Sequence, residues 1–369
     1  MVATPFFEIY PNSNPIKREK RKKLLETPGF GTLFSDHMAL VHWSEKKGWY
    51  KAQITARKSL SLDPASAVLH YAQEIFEGLK AYRSQDGRVL LFRPEQNAKR
   101  FAQSARRLSM PVLPEEIFLG AVTELVRVDS KWIPEGVDAS LYLRPFMFAS
   151  ESFLGVRSAK KYIFCVIASP AGAYFSGGGE LVTIWVEEHL SRAAPGGTGA
   201  VKCGGNYATS LEAQALAHEK GCDQVAFLDV IERRWVEELG GMNICFVLNS
   251  GILVTPPLGG TILPGITRSS ILTLAAEAGM KVEERGYSFD EWQHDAADGR
   301  LQEVFACGTA AVVTSIGRVR HEKGEFVIGN GTVGSVAQEL RQKLVDIQYG
   351  RANDSYGWMR VVNTPKLYL

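Results

Sequence analysis

Residues 195–207 read PGGTGAVKCGGNY, and the rest of the chain is best understood from this stretch. Lys202 stands there among glycines at positions 196, 197, 199, 204 and 205. Taken alone, such a stretch is a flexible surface loop with a solvated lysine. Its surroundings argue for more. The flanks are apolar or small, and the loop runs into a predicted helix, Tyr207–Lys220, with Asn206 as N-cap and Gly221 past its end. Glycines let a ligand approach the lysine closely on both sides. Away from water an amine loses its charge more readily and becomes a nucleophile toward carbonyl groups. Gly196 to Lys202 has the outline of a P-loop, but the lysine follows Val201 and precedes Cys203, so the Ser or Thr needed for magnesium is missing.

Outward from this loop the chain alternates between strand and helix patterns. Upstream, HMALVHW, GWYKAQITAR and RVLLFRP predict strands, followed by helices over Glu95–Met110 and Glu115–Trp132, each preceded by proline. Strands return at ASLYLRPFMFAS and KYIFCVIASP. Downstream, LVTIWVEEHL, QVAFLDV, RRWVEEL, NICFVLN, ILVTPP and EVFACG predict strands, with helices starting near Thr267 and over Ser335–Tyr349. Regular βαβ alternation is absent, so the expected class is α+β rather than doubly wound. The length of 369 residues predicts two domains. The expected division is a tail over 1–29, a small α/β domain over 30–175, a glycine-rich linker over 176–180, and a larger domain over 181–369. Within the tail, KREKRKK (Lys17–Lys23) reads as a solvated helix face.

Composition excludes several functions. A net charge of +2 argues against nucleic acid or a membrane surface as the main partner, and no apolar run reaches the roughly 18 residues of a bilayer span. Met1 to Asn14 has neither an apolar core with a cleavage site nor a transit-peptide composition. Five cysteines without a C-x-x-C pair argue against a disulfide framework or zinc site and fit a cytoplasmic setting. The seven histidines are scattered, with no H-E-x-x-H, so no metal is expected. No G-x-S-x-G occurs, and no G-x-G-x-x-G follows a strand.

An anion site is legible in two turns. Leu263-Pro-Gly-Ile-Thr267 leads straight into a helix, whose first N–H groups and dipole favour a phosphate. Cys307-Gly-Thr-Ala310 follows a strand, with Gly308 allowing close backbone approach and Thr309 offering a hydroxyl. Arg100, on a helix that otherwise buries Phe101 and Leu108, is a third candidate, although arginines are more often solvated. An electron-withdrawing pyridine ring also needs a carboxylate opposite its nitrogen. Glu237 and Glu238 of WVEELGGMN qualify; strand alternation predicts that one faces solvent and one faces inward, without choosing between them.

Together VLHYAQEIFEGLKAYR, NAKRFAQSARRLSMP, ASLYLRP, GGTGAVKCGGNYATS, EELGGMN, LPGITR and FACGTAAVV resemble the motifs of branched-chain aminotransferases. These are class IV aminotransferases, fold-type IV pyridoxal-phosphate enzymes resembling D-amino-acid aminotransferase in fold. The resemblance runs in order from about Phe30 to Trp358. It implies pyridoxal 5'-phosphate as cofactor, an active site at the domain interface, and a homodimer with shared sites. It also implies leucine, isoleucine, valine, glutamate and their 2-oxo acids as substrates.

Residue by residue, the resemblance makes Lys202 the Schiff-base lysine and the shuttle for the Cα proton. It selects Glu238 as the carboxylate on the pyridine nitrogen and Tyr207 as partner of the phenolic oxygen. Arg100, Ile266, Thr267 and Thr309 match the phosphate cup, and Leu263, Gly265 and Gly308 are further expected cofactor-binding residues. Tyr71 and the backbone of Thr309 and Ala310 match the surroundings of the substrate carboxylate, and Gly241 is a further expected substrate-binding residue. Phe30, Phe76, Tyr142, Val156 and Tyr174 match the apolar pocket, and Arg144 the partner of glutamate's second carboxylate. Tyr71, Tyr142, Arg144 and Val156 would serve the neighbouring subunit. Some animal members carry C-x-x-C after the Gly-Thr-Ala turn; Ala311 and Thr314 stand there in this chain, so that redox switch is not carried over. A D-amino-acid aminotransferase or aminodeoxychorismate lyase would reuse the same lysine, cup and carboxylate. A noncatalytic phosphate-ligand-binding protein would need only the glycine-rich turns.

Overall fold

The computed structural model describes residues 7–136, 139–172 and 181–364. The chain divides into two compact units: Met1–Tyr174 with Asp346–Leu369, and Phe175–Val345. The expected linker over 176–180 lies outside the described residues.

In the first unit the elements are β1 (Glu8–Ile9), α1 (Arg18–Glu26), β2 (His37–Ser44), β3 (Gly48–Ala56), α2 (Ala67–Tyr71), β4 (Glu74–Phe76), β5 (Leu79–Arg83) and β6 (Val89–Phe92). Next come α3 (Pro94–Arg107), α4 (Glu115–Val128), β7 (Ser140–Ala149) and β8 (Lys161–Ala171). Pro94 opens α3, where its fixed φ suits a first helical turn. One face of α3 buries Ala98, Phe101 and Ala105, spaced for a helix. Phe101 packs on Phe118 of α4 and Phe164 of β8 at ring-centroid distances of 5.4 and 5.5 Å. Leu108, expected in the core, is only partly buried because α3 ends at Arg107.

Residues 8–16 are not a loose tail. β1 pairs in parallel with β3. The Asn12 amide donates to His37 Nε2 at 3.0 Å, and the Ile16 amide to Asp36 Oδ1 at 3.0 Å. The basic run does form a helix with no buried residue.

The second unit contains β9 (Leu181–Glu187), α5 (Gly204–Ala208), α6 (Leu211–Glu219), β10 (Gln224–Leu228), β11 (Val236–Leu239), β12 (Asn243–Leu248) and β13 (Ile252–Thr255). It continues with α7 (Ile266–Glu277), β14 (Lys281–Glu284), α8 (Phe289–Ala297), β15 (Leu301–Gly308), β16 (Val312–His321), β17 (Gly324–Val327) and most of α9 (Ser335–Gln348). Its sheet runs β11-β10-β9-β16-β15-β12-β13-β14, with β17 paired to β16. The core includes Phe246, stacked on Tyr287 at 4.2 Å and edge-on to Trp292 at 5.1 Å. Each buried aromatic of this kind contributes about 1.5–3 kcal/mol.

The last strand, β18 (Met359–Val362), pairs antiparallel with β6, giving a sheet ordered β1-β3-β2-β8-β7-β5-β6-β18, with β4 on β7. The C-terminal segment therefore belongs to the first unit, not to the larger domain expected over 181–369. A four-residue strand has too few residues to announce its partner.

Candidate active site

Lys202 precedes a short helix rather than the long one expected. α5 ends at Ala208 and α6 begins at Leu211, and Asn206 lies within α5 instead of capping it. Its carboxamide turns back to hold the glycine loop. Asn206 Nδ2 donates to the carbonyls of Thr198 and Val201, both at 2.7 Å, and its Oδ1 accepts from Thr198 Oγ1 at 2.7 Å. The glycines also serve the fold itself: a Cβ on Gly199 would collide with the Thr261 carbonyl. The loop is thus a fixed support. From it Lys202 Nζ donates to the Tyr207 hydroxyl at 2.8 Å.

The carboxylates of β11 depart from simple alternation. Between its two paired positions β10 advances two residues, Ala226 to Leu228, while β11 advances three, Val236 to Leu239. The extra residue is a β-bulge, which brings Val236 and Leu239 into one core cluster despite their odd spacing. Neither carboxylate then faces solvent: Glu237 is 8% exposed and Glu238 3%.

Glu238 is bonded from three directions. Arg192 Nη2 lies 2.6 Å from Oε1, the Leu263 amide donates to Oε1 at 3.1 Å, and Asn243 Nδ2 donates to Oε2 at 3.2 Å. Burial pushes the Glu238 carboxyl up to about 7, outweighing the pull of Arg192, the Leu263 amide and Lys202 toward the charged form. Glu237 is raised by burial as well, and its Oε1 accepts from Thr261 Oγ1 at 2.5 Å. Sequence reasoning missed Arg192, ten residues from Lys202, and Asn243, although the latter ends the EELGGMN motif.

Three turns meet at this end of the second sheet. Asn243 Nδ2 also donates to the Leu263 carbonyl at 3.0 Å, tying β12 to the turn before α7. Gly265 caps α7, and a Cβ there would strike the Asn243 carboxamide. Gly265 itself places no side chain over the helix start, where Ile266 and buried Thr267 follow. Asn243 pairs with Cys307 across β12 and β15. A Cβ on Gly308 would sit 3.2 Å from Met242, and one on Gly241 would sit 3.6 Å from the Tyr207 ring. Thr309 and Ala310 form the turn between β15 and β16. The second unit thus brings together Lys202, Tyr207, Glu238, Gly241, Leu263, Gly265, Ile266, Thr267, Gly308, Thr309 and Ala310.

The first unit assembles a second group. Phe30 meets the Tyr142 ring edge-on at 5.1 Å. Arg144 lies over Phe76 at 4.8 Å and over Tyr142 at 5.4 Å, and its Nη2 donates to the Tyr142 hydroxyl at 3.0 Å. Tyr142 and Arg144 share a face of β7, two residues apart. Gly78 makes room for the phenol, since a Cβ would collide with the Tyr142 hydroxyl. Tyr71 and Val156 are exposed, at 40% and 88%, on a rim joined by the Tyr71 hydroxyl donating to the Leu154 carbonyl at 2.7 Å. Tyr174 lies outside the described residues.

Arg100 is neither solvated nor surface-paired. It is 6% exposed and forms a two-pronged bond with Glu77, Nε to Oε1 at 2.7 Å and Nη2 to Oε2 at 2.8 Å. Asn97 Nδ2 donates to the same carboxylate at 2.7 Å. Glu77 also went unread in the sequence, although it stands within FEGL. Among the described residues, no cluster of three metal-ligating side chains occurs, and no helix is long and apolar enough to cross a membrane.

The model of the amino-transferase class IV family matches residues 74–319. A probable branched-chain-amino-acid aminotransferase of Streptomyces coelicolor is 54% identical over 362 residues, covering 98% of this chain and 100% of the relative. The crystal structure of the Escherichia coli branched-chain amino acid aminotransferase superposes with a TM-score of 0.73 at 29% identity, covering 88% of this chain and 100% of that one. The T.th. branched-chain amino acid aminotransferase, complexed with N-(5'-phosphopyridoxyl)-L-glutamate, superposes with a TM-score of 0.69 at 27% identity, covering 88% and 99%. With a family match over more than half its length and a relative this similar end to end, the chain belongs to the class IV aminotransferases, within the branched-chain-amino-acid group.

Proposed function

We propose that this chain reversibly transfers the amino group of leucine, isoleucine or valine to 2-oxoglutarate, with pyridoxal 5'-phosphate carried on Lys202. One observation carries the reading. Within a single unit, Lys202 stands 2.8 Å from a phenol and Glu238 lies buried in an ion pair at 2.6 Å. This donor set fits the cofactor group by group: an amine for its carbonyl, a dry carboxylate for its ring nitrogen, and a phenol for its phenolic oxygen. A helix start with glycine at its N-cap suits its phosphate. Leu263, Gly265, Ile266, Thr267, Gly308 and Thr309 are proposed as the phosphate cup, and Arg100 as an added phosphate cation.

When bound, pyridoxal phosphate supplies the electron sink that makes the Cα proton of an amino acid acidic. Lys202 Nζ takes that proton and holds it, oriented by the Tyr207 hydroxyl. Glu238 supplies the negative charge for the protonated ring, and its burial keeps competing water away. Tyr71, Gly241 and the backbone of Thr309 and Ala310 are proposed to hold the substrate's α-carboxylate. Phe30, Phe76, Tyr142, Val156 and Tyr174 are proposed as the apolar wall. One methylene is worth only about 1–3 kcal/mol of discrimination, so all three branched side chains should be accepted. Arg144 is proposed for the second carboxylate of glutamate, which would be costly to bury unpaired.

A homodimer in the cytoplasm completes the proposal, with Tyr71, Tyr142, Arg144 and Val156 serving the neighbouring subunit. The exposed apolar side chains of Leu69, Tyr71, Leu154 and Val156 support subunit pairing. The five free thiols support a reducing compartment. Protein given L-leucine, 2-oxoglutarate and pyridoxal phosphate should form L-glutamate and the 2-oxo acid in equal amounts. A yellow protein that makes no glutamate from any branched-chain amino acid would point instead to the D-amino-acid or lyase activities. A protein that takes up no cofactor would overturn the reading altogether.

A further inference from the structure

We propose that Arg192 is the positioning residue of this site: it holds Glu238 as the anion that serves the cofactor's ring nitrogen. The inference rests on the functional reading above and adds a residue to which that reading gives no role. Both side chains are almost completely buried, Arg192 at 5% exposure and Glu238 at 4%. The same Arg192 Nη2 that pairs with Glu238 also donates to the Thr261 carbonyl, and the Thr261 hydroxyl donates to Glu237. Arg192 is thereby fixed to the loop that packs against Gly199, so it cannot swing away from Glu238 without disturbing the support of Lys202.

A purely structural role explains this poorly. Buried ion pairs stabilise proteins little, because desolvating both charges offsets their attraction. An ionised Glu238, by contrast, is something the site requires. Few charged or titratable groups face Glu238. Arg192 and Lys202 favour the anion, together with the Leu263 amide; Glu237 opposes it, and Glu238 in turn disfavours the thiolate of Cys307. Arg192 is the strongest influence favouring the anion. Without it, burial would push the Glu238 carboxyl further toward its neutral form, and a neutral acid gives a protonated ring no charge partner.

The test is pyridoxal 5'-phosphate binding to the full-length apoprotein, measured by equilibrium titration from about pH 6 to about pH 9. Dividing each variant's dissociation constant by that of the unsubstituted protein at the same pH removes the pH dependence of the bond to Lys202 itself. Arg192→Met should bind about tenfold or more weakly near pH 7, and the ratio should close as rising pH ionises Glu238 unaided. Arg192→Lys, which keeps the charge, should stay within about threefold with the original pH profile. In a Glu238→Gln background, Arg192→Met should add almost nothing. A ratio that is flat across pH, or an equal loss in the Glu238→Gln background, would overturn the assignment and leave Arg192 a structural residue. Should Arg192→Met fail to fold, Arg192→Lys decides the matter, since a pH-independent loss in that variant also overturns it. Failure of the unsubstituted protein to bind the cofactor is a different result, which removes the functional reading itself.

Discussion

Glu238 and Arg144 are two charged side chains of the proposed reaction, one in each unit, and they are held by different means. Glu238 is bonded to a guanidinium, a backbone amide and a carboxamide, each from a separate segment of the chain, and is 3% exposed. Arg144 is only partly buried, rests on two aromatic rings and donates to one phenol. Its Nε is buried without a hydrogen-bond partner among the described residues. The difference matches the role proposed for each group. Ring chemistry is the same in both halves of a transamination, so its carboxylate can be locked. A pocket that takes an apolar side chain and then a carboxylate needs a cation with bonding capacity in reserve.

The largest effect expected on this contrast comes from removing its common partner. Lys202→Ala should lower kcat by about 10⁴-fold or more, because neither locked charge nor adaptable pocket moves a proton without the amine. Steady-state glutamate formation checks this. Glu238→Gln comes next, with kcat expected to fall about a hundredfold or more as the buried charge is lost. The same variant tests burial independently of catalysis. The folded Glu238 carboxyl is raised from 4.5 to about 7, so the folded state binds its proton more tightly than the unfolded chain. Its contribution to stability is therefore present below about 4.5 and is lost as pH rises to about 7. Melting curves of the apoprotein should show the unsubstituted chain losing ground to Glu238→Gln across that window.

Arg144→Met should be smaller in effect and one-sided. The KM for 2-oxoglutarate should rise about ten- to a hundredfold, while that for leucine changes by no more than about threefold. Equal rises for both substrates would erase the distinction between locked and adaptable charge. Tyr142→Phe removes only the hydroxyl acceptor of Arg144 and should raise the 2-oxoglutarate KM about threefold.

Much of this arrangement is legible in the sequence, and the failures have physical causes. The helix starts at Pro94 and near Thr267 follow from local rules, as does the strand ending in Cys307-Gly308. The Lys202 loop stands out because glycines cluster around one amine. The fate of Glu237 and Glu238 does not follow, because a bulge breaks the period-two pattern that would assign their faces. Arg192 is one arginine among many until the fold sets it against Glu238. Helix α8 was readable: Ser288 accepts from the Glu291 amide at 2.9 Å, the S-x-x-E cap signal in plain sequence. Strand β18 exists only through its partner β6, which lies far away in sequence.

The claim that Lys202 carries the cofactor is tested most directly by reducing the pyridoxal-phosphate-loaded protein with borohydride and mapping the label by peptide mass spectrometry. The phosphopyridoxyl mass should appear on the peptide containing Lys202 and on no other. Its appearance on a different lysine, or on none, would contradict the account.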